Sequence, residues 1–180
     1  KFIHEIGAGQ FREAYETIRE SNVLATVCGY VCPSETLCQS ACINEHYQET
    51  VPIRHLQRWV SRKAVEEGWV REPRPAAPST GKRVAVVGAG PAGVAAAVSL
   101  ASMGHQVTLL ERTAQAGGMA YETIPAERLP DPILGREVED LLASAANIER
   151  RVAELGVNCS LDNLAAEGHD AVLLAMGLSG

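Results

Sequence analysis

Two groups of residues in this chain have types and spacings that could do chemistry. Cys28, Cys32, Cys38 and Cys42 fall within fifteen residues in the order C-x3-C-x5-C-x3-C. Thiolates are soft ligands, and close sets of them hold iron–sulfur clusters or zinc. Zinc sites often use a tighter two-residue loop between cysteines, which is absent here, although wider spacings occur. Cluster ligation is the first reading, zinc the rival, and unligated cysteines packed in a helical core the plainest alternative. The second group is Gly88-Ala89-Gly90-Pro91-Ala92-Gly93, followed by Glu111 and by Gly117-Gly118.

The glycine run has the order of a diphosphate cradle. Gly88 allows a tight turn, Gly90 lets backbone approach a pyrophosphate, and Gly93 lets the following helix pack close to its strand. Exposed N–H groups and the helix dipole then attract phosphate. Pro91 suits the first helical turn, where its missing N–H would be unpaired anyway. Glu111, eighteen residues after Gly93, can accept hydrogen bonds from the two hydroxyls of an adenosine ribose. It would repel a 2′-phosphate, so this site is not expected to hold NADP. An isolated glycine triplet is only a turn; the surrounding strand, helix, second strand and acidic residue are what make it a fingerprint. Gly117-Gly118, six residues past Glu111, lets the chain pass close to a cofactor, with an ordinary loop as the alternative. A similar acid-to-Gly-Gly spacing follows the FAD strand of two-domain flavoproteins, which favours FAD over NAD.

The elements needed to position these groups are legible in outline. Residues 1–70 read as helical: Phe11, Ala14, Tyr15 and Ile18 recur at helical spacing. Ser34, after Pro33, is expected to cap a helix through Thr36 to Asn44, which would put Cys38 and Cys42 on one face. Ile53 to Glu67 predicts another helix, with Ile53, Leu56, Val60 and Ala64 on one side and Gly68 as its stop. Residues 71–80, with Pro73, Pro75 and Pro78, read as a linker. From 81 to 180 the pattern changes. A strand over Arg83–Val87, the helix Pro91–Met103 and a strand over Val107–Leu110 make a βαβ unit. Residues 113–135 read as loop, Arg136–Leu155 as a helix with Leu141, Ala145, Ile148, Val152 and Leu155 in its stripe, and Ala171–Ala175 as a last strand.

Composition narrows the function classes. Hydrophobic residues are 46% of 180, enough for a core, but aromatics are only 4%, so that core must be Ala, Val, Leu and Ile. A net charge of −6 without a basic stripe argues against nucleic acid. No run reaches the roughly 18 apolar residues of a membrane span, and no signal peptide opens the chain, so a soluble, cytoplasmic protein is expected. The chain opens on Lys1 and closes on Leu178-Ser179-Gly180, which reads as a piece of a longer polypeptide. Its five histidines share no metal spacing and read as structural or surface residues; Trp59 and Trp69 are expected to pack the helical part. Arg54, Arg58 and Arg62 recur every four residues beside Gln57, either as a solvated helix face or as a positive rim beside a redox centre or an acidic partner.

Taken in order, CGYVCPSETLCQSAC (28–42), PIRHLQRW (52–59), GAGPAG (88–93), ER with GG (111–118) and TIPAERLP (123–130) resemble the glutamate synthase small subunit and the N-terminal half of dihydropyrimidine dehydrogenase. The resemblance runs along nearly the whole chain. It implies an α-helical iron–sulfur domain (1–70), a linker (71–80), and an incomplete α/β Rossmann-like FAD domain of the two-dinucleotide-binding flavoprotein type (81–180). It implies two [4Fe–4S] clusters, with Cys32, Cys38 and Gln57 serving one and Cys42 the other; Gln57 matches the dehydrogenase, where synthase-like members carry glutamate. It implies flavin contacts from Gly88, Gly90, Pro91, Ala92, Gly93, Glu111, Arg112, Gly117, Gly118, Met119 and Arg128. The family's remaining cluster cysteines lie upstream of Lys1, so the ligand set here is incomplete. Its NAD(P)H domain follows a strand like Ala171–Gly177 and is absent from this chain.

The function this implies is an electron-relay module. Electrons pass from a nicotinamide cofactor through FAD to the clusters and on to a partner catalytic subunit. No side chain reads as a general base, and no residue is assigned as catalytic. Two other classes stand beside it: a non-catalytic docking module with structural FAD, and a zinc-stabilised adaptor with an empty nucleotide fold.

Overall fold

The computed structural model describes residues 1–46, 49–69 and 77–178. The chain divides into two compact units, Lys1–Arg71 with Pro125–Ile133, and Glu72–Ile124 with Leu134–Gly180.

The first unit is helical. It contains α1 (Phe2–Gly7), α2 (Phe11–Ser21), α3 (Ala25–Val31), two 3-10 turns (Ser34–Thr36 and Ile43–His46) and α4 (Ile53–Glu66). Ala14, Tyr15 and Ile18 from α2 bury against Ala25 of α3 and Val60 and Ala64 of α4, with Trp69 packed alongside. Trp59 meets Phe11 edge-on, ring centres 5.0 Å apart, while staying 46% exposed. α4 ends as the sequence predicts. Gly68 N–H donates to Val65 O and Trp69 N–H to Ala64 O, the paired bonds of a Schellman motif.

The helix expected over Thr36–Asn44 does not form. Ser34 is buried, and its hydroxyl lies 2.8 Å from Gln39 Oε1 instead of capping a backbone N–H. Its carbonyl accepts from both Leu37 N–H (3.2 Å) and Gln39 N–H (2.9 Å). The hydroxyls of Thr36 and Ser40 also bond carbonyls three residues back, at Pro33 and Leu37. These local bonds compete with a helical ladder, so Cys38 lies in a turn and Cys42 just beyond it, and the two share no helix face.

The second unit is built on a parallel sheet. Its elements are β1 (Arg83–Val87), α5 (Pro91–Ser102), β2 (Gln106–Glu111), α6 (Met119–Glu122), α7 (Asp131–Ala143), β3 (Ile148–Val152), α8 (Leu161–Ala166) and β4 (Ala171–Leu174). The strand order is β3-β2-β1-β4 and every pairing is parallel, with Val87 opposite Leu110 and Leu174, and Glu111 opposite Val152. Central strands β1 and β2 are buried almost end to end, as parallel strands covered on both faces must be. The core is Ala, Val and Leu, as the low aromatic content requires. His169 is buried in it, Nδ1 2.9 Å from Leu164 O and Nε2 3.1 Å from Thr108 Oγ1.

The long helix expected over Arg136–Leu155 is instead α7 followed by β3. Ser144 ends α7, its N–H shared between Asp140 O and Leu141 O and its hydroxyl turned back to Leu141 O. Asn147 then pins the chain: its side-chain amide donates to Ala101 O (2.8 Å) and His105 O (2.6 Å). Its carbonyl accepts from Val107 N–H, starting the β2–β3 ladder. Ile148 and Val152 fit a four-residue helical repeat and a two-residue strand repeat equally well, and tertiary anchoring decides between them.

α8 was not foreseen. Ser160 caps it by accepting the Asn163 N–H at 3.1 Å. Of the expected linker, residues 71–76 lie outside the described residues. Ala77 and Thr80 donate their N–H groups to Ser102 O and Gly104 O, each at 3.0 Å, along the end of α5. Among the described residues no helix is long and apolar enough to cross a membrane.

Candidate functional site

β1 delivers the chain into the glycine turn at the C-terminal edge of the sheet. Gly88 has φ +102° and donates its N–H to Leu110 O at 2.7 Å, closing the turn against β2. Gly90 is the N-cap of α5, with no side-chain cap, and Pro91 takes the first helical position. The N–H groups of the first turn therefore have no intrahelical acceptor, and Pro91 and Ala92 are exposed. A Cβ on Gly93 would run into the Gly88 carbonyl, so α5 can approach β1 this closely only with glycine there. A Cβ on Gly90 would meet nothing within 4 Å, so the space in front of the helix end is open.

Two further segments converge on this turn. Glu111, the last residue of β2, accepts the Ala89 N–H on Oε2 at 2.7 Å; its Oε1 has a longer 3.4 Å contact from Thr113 N–H. Gly117 donates its N–H to Ala89 O at 2.7 Å. Gly117 and Gly118 both have positive φ, and a Cβ on Gly118 would stand 3.0 Å from Gly90 Cα. Gly88, Gly90, Gly93, Glu111, Gly117 and Gly118, singled out from spacing, are thus brought together around Ala89. Met119 follows at the start of α6, about half exposed. Arg112 is paired with Glu122 at 3.0 Å, both side chains exposed. Arg128 lies in the first unit, donating to Val31 O at 3.0 Å.

A cleft of about 300 Å³ opens beside the turn, lined by Ala89, Glu111 and Thr113 on one side and Arg150, Arg151 and Val152 on the other. Sequence reading missed the β3 wall because it placed these residues on a helix. The alternation of Ile148, Arg150 and Val152 is the signal that could have found it. Arg151 bonds Glu167 at 2.8 Å. That hydrogen bond holds the guanidinium above its ordinary range and the Glu167 carboxyl below its own.

In the first unit Cys28, Cys32, Cys38 and Cys42 are free thiols, all partly buried. Cys28 Sγ lies 3.9 Å from Asn22 Oδ1, and Cys38 Sγ 4.0 Å from Ser34 O. Among the described residues no three Cys, His, Asp or Glu side chains converge as a metal set. Gln57 sits half-buried on α4, one turn beyond Arg54. The arginine ladder is divided among separate tasks. Arg54 donates to Cys32 O (3.0 Å) and Glu35 Oε1 (3.2 Å), Arg58 stacks over the Tyr30 ring at 4.0 Å, and Arg62 pairs with Glu66. Cys159, buried under the sheet of the second unit, is a core residue.

The open, amide-lined helix end beside a carboxylate fits a dinucleotide carrying a diphosphate, and the free, partly buried thiols are donors of the type a soft metal takes, although among the described residues they do not converge as a set. Comparison with known proteins agrees on both counts. Residues 1–69 match the family model of dihydropyrimidine dehydrogenase domain II with a 4Fe-4S cluster, and residues 83–143 that of FAD-dependent oxidoreductases. The chain is similar to dihydropyrimidine dehydrogenase subunits and to glutamate synthase small chains. It is 39% identical over 179 residues to the NAD-dependent dihydropyrimidine dehydrogenase subunit PreT of Salmonella typhimurium, covering 99% of this chain and 42% of the relative. It is 40% identical over 179 residues to the subunit of the same name in Escherichia coli K12, with the same coverage. It is 36% identical over 171 residues to the glutamate synthase [NADPH] small chain of Azospirillum brasilense, covering 94% of this chain and 35% of the relative. The chain thus spans about two fifths of the length of these relatives, and that span carries a 4Fe-4S cluster domain and an FAD-dependent oxidoreductase domain.

Proposed function

We propose that this chain is the FAD- and iron–sulfur-carrying part of an NAD(P)H-dependent oxidoreductase, relaying electrons from reduced nicotinamide through FAD to [4Fe–4S] clusters and a partner catalytic subunit. The observation that carries the reading is the convergence on Ala89, whose N–H is taken by Glu111 and whose carbonyl is taken by Gly117. This locks the diphosphate turn to the two segments on either side of it. The parallel order β3-β2-β1-β4, with α5 crossing from β1 to β2, supports a Rossmann-like assignment. Residues 1–70 are assigned as the iron–sulfur domain, 71–80 as the linker and 81–180 as the FAD domain.

In this reading the N–H groups of Gly90, Ala92 and Gly93 hold the diphosphate. Glu111 uses Oε2 to fix Ala89 and leaves Oε1 for the ribose hydroxyls. Val152, Arg150 and Arg151 wall the cleft on the far side. Gly118 and Met119 border the cofactor next to the turn. Cys32, Cys38 and Gln57 serve one cluster and Cys42 the other, with further ligands from outside the chain. Bound FAD would supply the exchange between hydride and single-electron transfer, and the clusters single-electron conduction. Gln57 supports the dehydrogenase side of the family over the synthase side. The words "subunit" and "small chain" in the relatives' names support a separate catalytic partner.

The test is the absorption spectrum and metal content of the full-length polypeptide. Flavin bands that bleach with NADH or NADPH, together with iron and acid-labile sulfide, are expected. A purified protein with neither flavin nor iron would remove the reading. Bound flavin that no nicotinamide donor reduces in the intact complex would leave a docking module.

A further inference from the structure

We propose that Tyr121 is the positioning residue that seats the paired-glycine loop on the diphosphate turn; the inference rests on the flavin reading above. Two glycines far apart in sequence face this one side chain, Gly117 with a positive φ of its own and Gly135 without one. A Cβ on Gly117 would stand 2.5 Å from Cδ2 and 2.6 Å from Cε2 of Tyr121, and a Cβ on Gly135 would stand 2.6 Å from its hydroxyl. Gly135 lies inside α7 and is not among the positive-φ glycines, so its backbone does not call for glycine. A glycine inside a helix costs about 1 kcal/mol relative to alanine. Room for the tyrosine hydroxyl accounts for it.

From the ring the contacts run straight to the turn. Gly117, under the ring edge, donates to Ala89 O at 2.7 Å, and Gly118 packs on Gly90. Tyr121 is thus a stiff wedge between α7 and the loop, and a phenol with only two side-chain torsions suits that task. Displacing it frees the loop to lift from Ala89 and Gly90, the residues proposed to face the cofactor's diphosphate. Tyr121 itself need not touch the cofactor.

The experiment measures FAD affinity by reconstituting the deflavinated full-length polypeptide and following flavin fluorescence. The set is wild type, Gly135→Ala, Tyr121→Phe and the double variant. Gly135→Ala drives a methyl into the hydroxyl, and FAD is expected to bind about tenfold more weakly, within the usual coupling between residues in contact. Tyr121→Phe leaves Cζ 4.0 Å from the position of that methyl; alone it is expected to stay within about twofold of wild type, and combined with Gly135→Ala to recover most of the loss. Recovery by the smaller side chain separates positioning from general destabilisation. Wild-type affinity in Gly135→Ala, or a double variant no tighter than Gly135→Ala, overturns the proposal. If Gly135→Ala does not fold, Tyr121→Phe against Tyr121→Ala decides: equal FAD affinity of the two overturns it, and weakening in the alanine variant alone supports it. A wild-type polypeptide that takes up no FAD fails at the flavin reading and takes this inference with it.

Discussion

Glu111 and Ala89 are joined by a 2.7 Å hydrogen bond in which a carboxylate oxygen at the end of β2 accepts the backbone N–H of the turn after β1. One acidic side chain therefore fixes the turn with Oε2 and leaves Oε1 only lightly engaged. A bond from an amide to a charged acceptor is stronger than a neutral one, so the turn is set before any ligand arrives.

Glu111→Ala removes both roles. FAD affinity is expected to fall about 10- to 100-fold, the scale of a lost hydrogen bond to a charged group. Glu111→Gln keeps an oxygen for Ala89 and should fall less. Flavin fluorescence titration measures both, and an alanine variant binding FAD as tightly as wild type would contradict the role.

Gly93→Ala places a methyl on the Gly88 carbonyl. Neither partner is a flexible side-chain end, so β1 and α5 must part. A loss of about 1–3 kcal/mol in unfolding free energy is expected, as for other overpacked sites, together with loss of bound flavin. Denaturant unfolding of the wild type and variant tests this; unchanged stability would mean that the close approach is dispensable.

Arg54→Ala frees the Cys32 carbonyl and Glu35. The cysteine segment loses its tie to α4, at a cost of about 1–2 kcal/mol given that the guanidinium is only partly exposed. Faster proteolysis between Cys32 and Cys42 and lower iron retention in the full-length polypeptide are expected. Arg62→Ala, which breaks only an exposed pair with Glu66, should leave both unchanged.

Lys82 and Asp170 clamp the start of β1 to the entry of β4, Nζ to Oδ1 at 2.7 Å, and Asp170 Oδ2 also accepts the Arg83 N–H at 2.9 Å. The hydrogen bond from Lys82, then that from Arg83, holds the Asp170 carboxyl below its ordinary value, and Asp170 holds Lys82 above its own. The aspartate's contribution is present above the unfolded value of about 3.9 and is lost as pH falls through the lower folded value. The lysine's contribution is present below about 10.4 and is lost as pH rises through the higher folded value. Asp170→Asn should flatten the acid limb of a stability–pH curve below about pH 4. An acid limb identical to wild type would show that the clamp is energetically silent.

The βαβ unit was legible because each local signal agreed: buried apolar strands, a helix opened by Gly90-Pro91, and an acid at the end of β2. The clustering of Gly88, Gly90, Gly93 and Glu111 around Ala89 followed from the same agreement. Two features were hidden, for different physical reasons. Ile148 and Val152 satisfy helix and strand spacing alike, and the choice falls to Asn147 reaching carbonyls of Ala101 and His105, contacts that no window of sequence contains. The segment after Pro33 looked capped because serine is a good cap, but the Ser34 hydroxyl engages Gln39. The opposition of Tyr121 to Gly117 and Gly135 likewise joins positions whose relation exists only after folding.

The bonds from Ala77 to Ser102 and from Thr80 to Gly104 carry a mechanical consequence. Tension arriving at residue 77 from the N-terminal side is taken up at the end of α5 before it can reach Arg83. The strand that leads into the glycine turn is thereby tied, through the residues just before it, to the far end of the helix that the same turn opens.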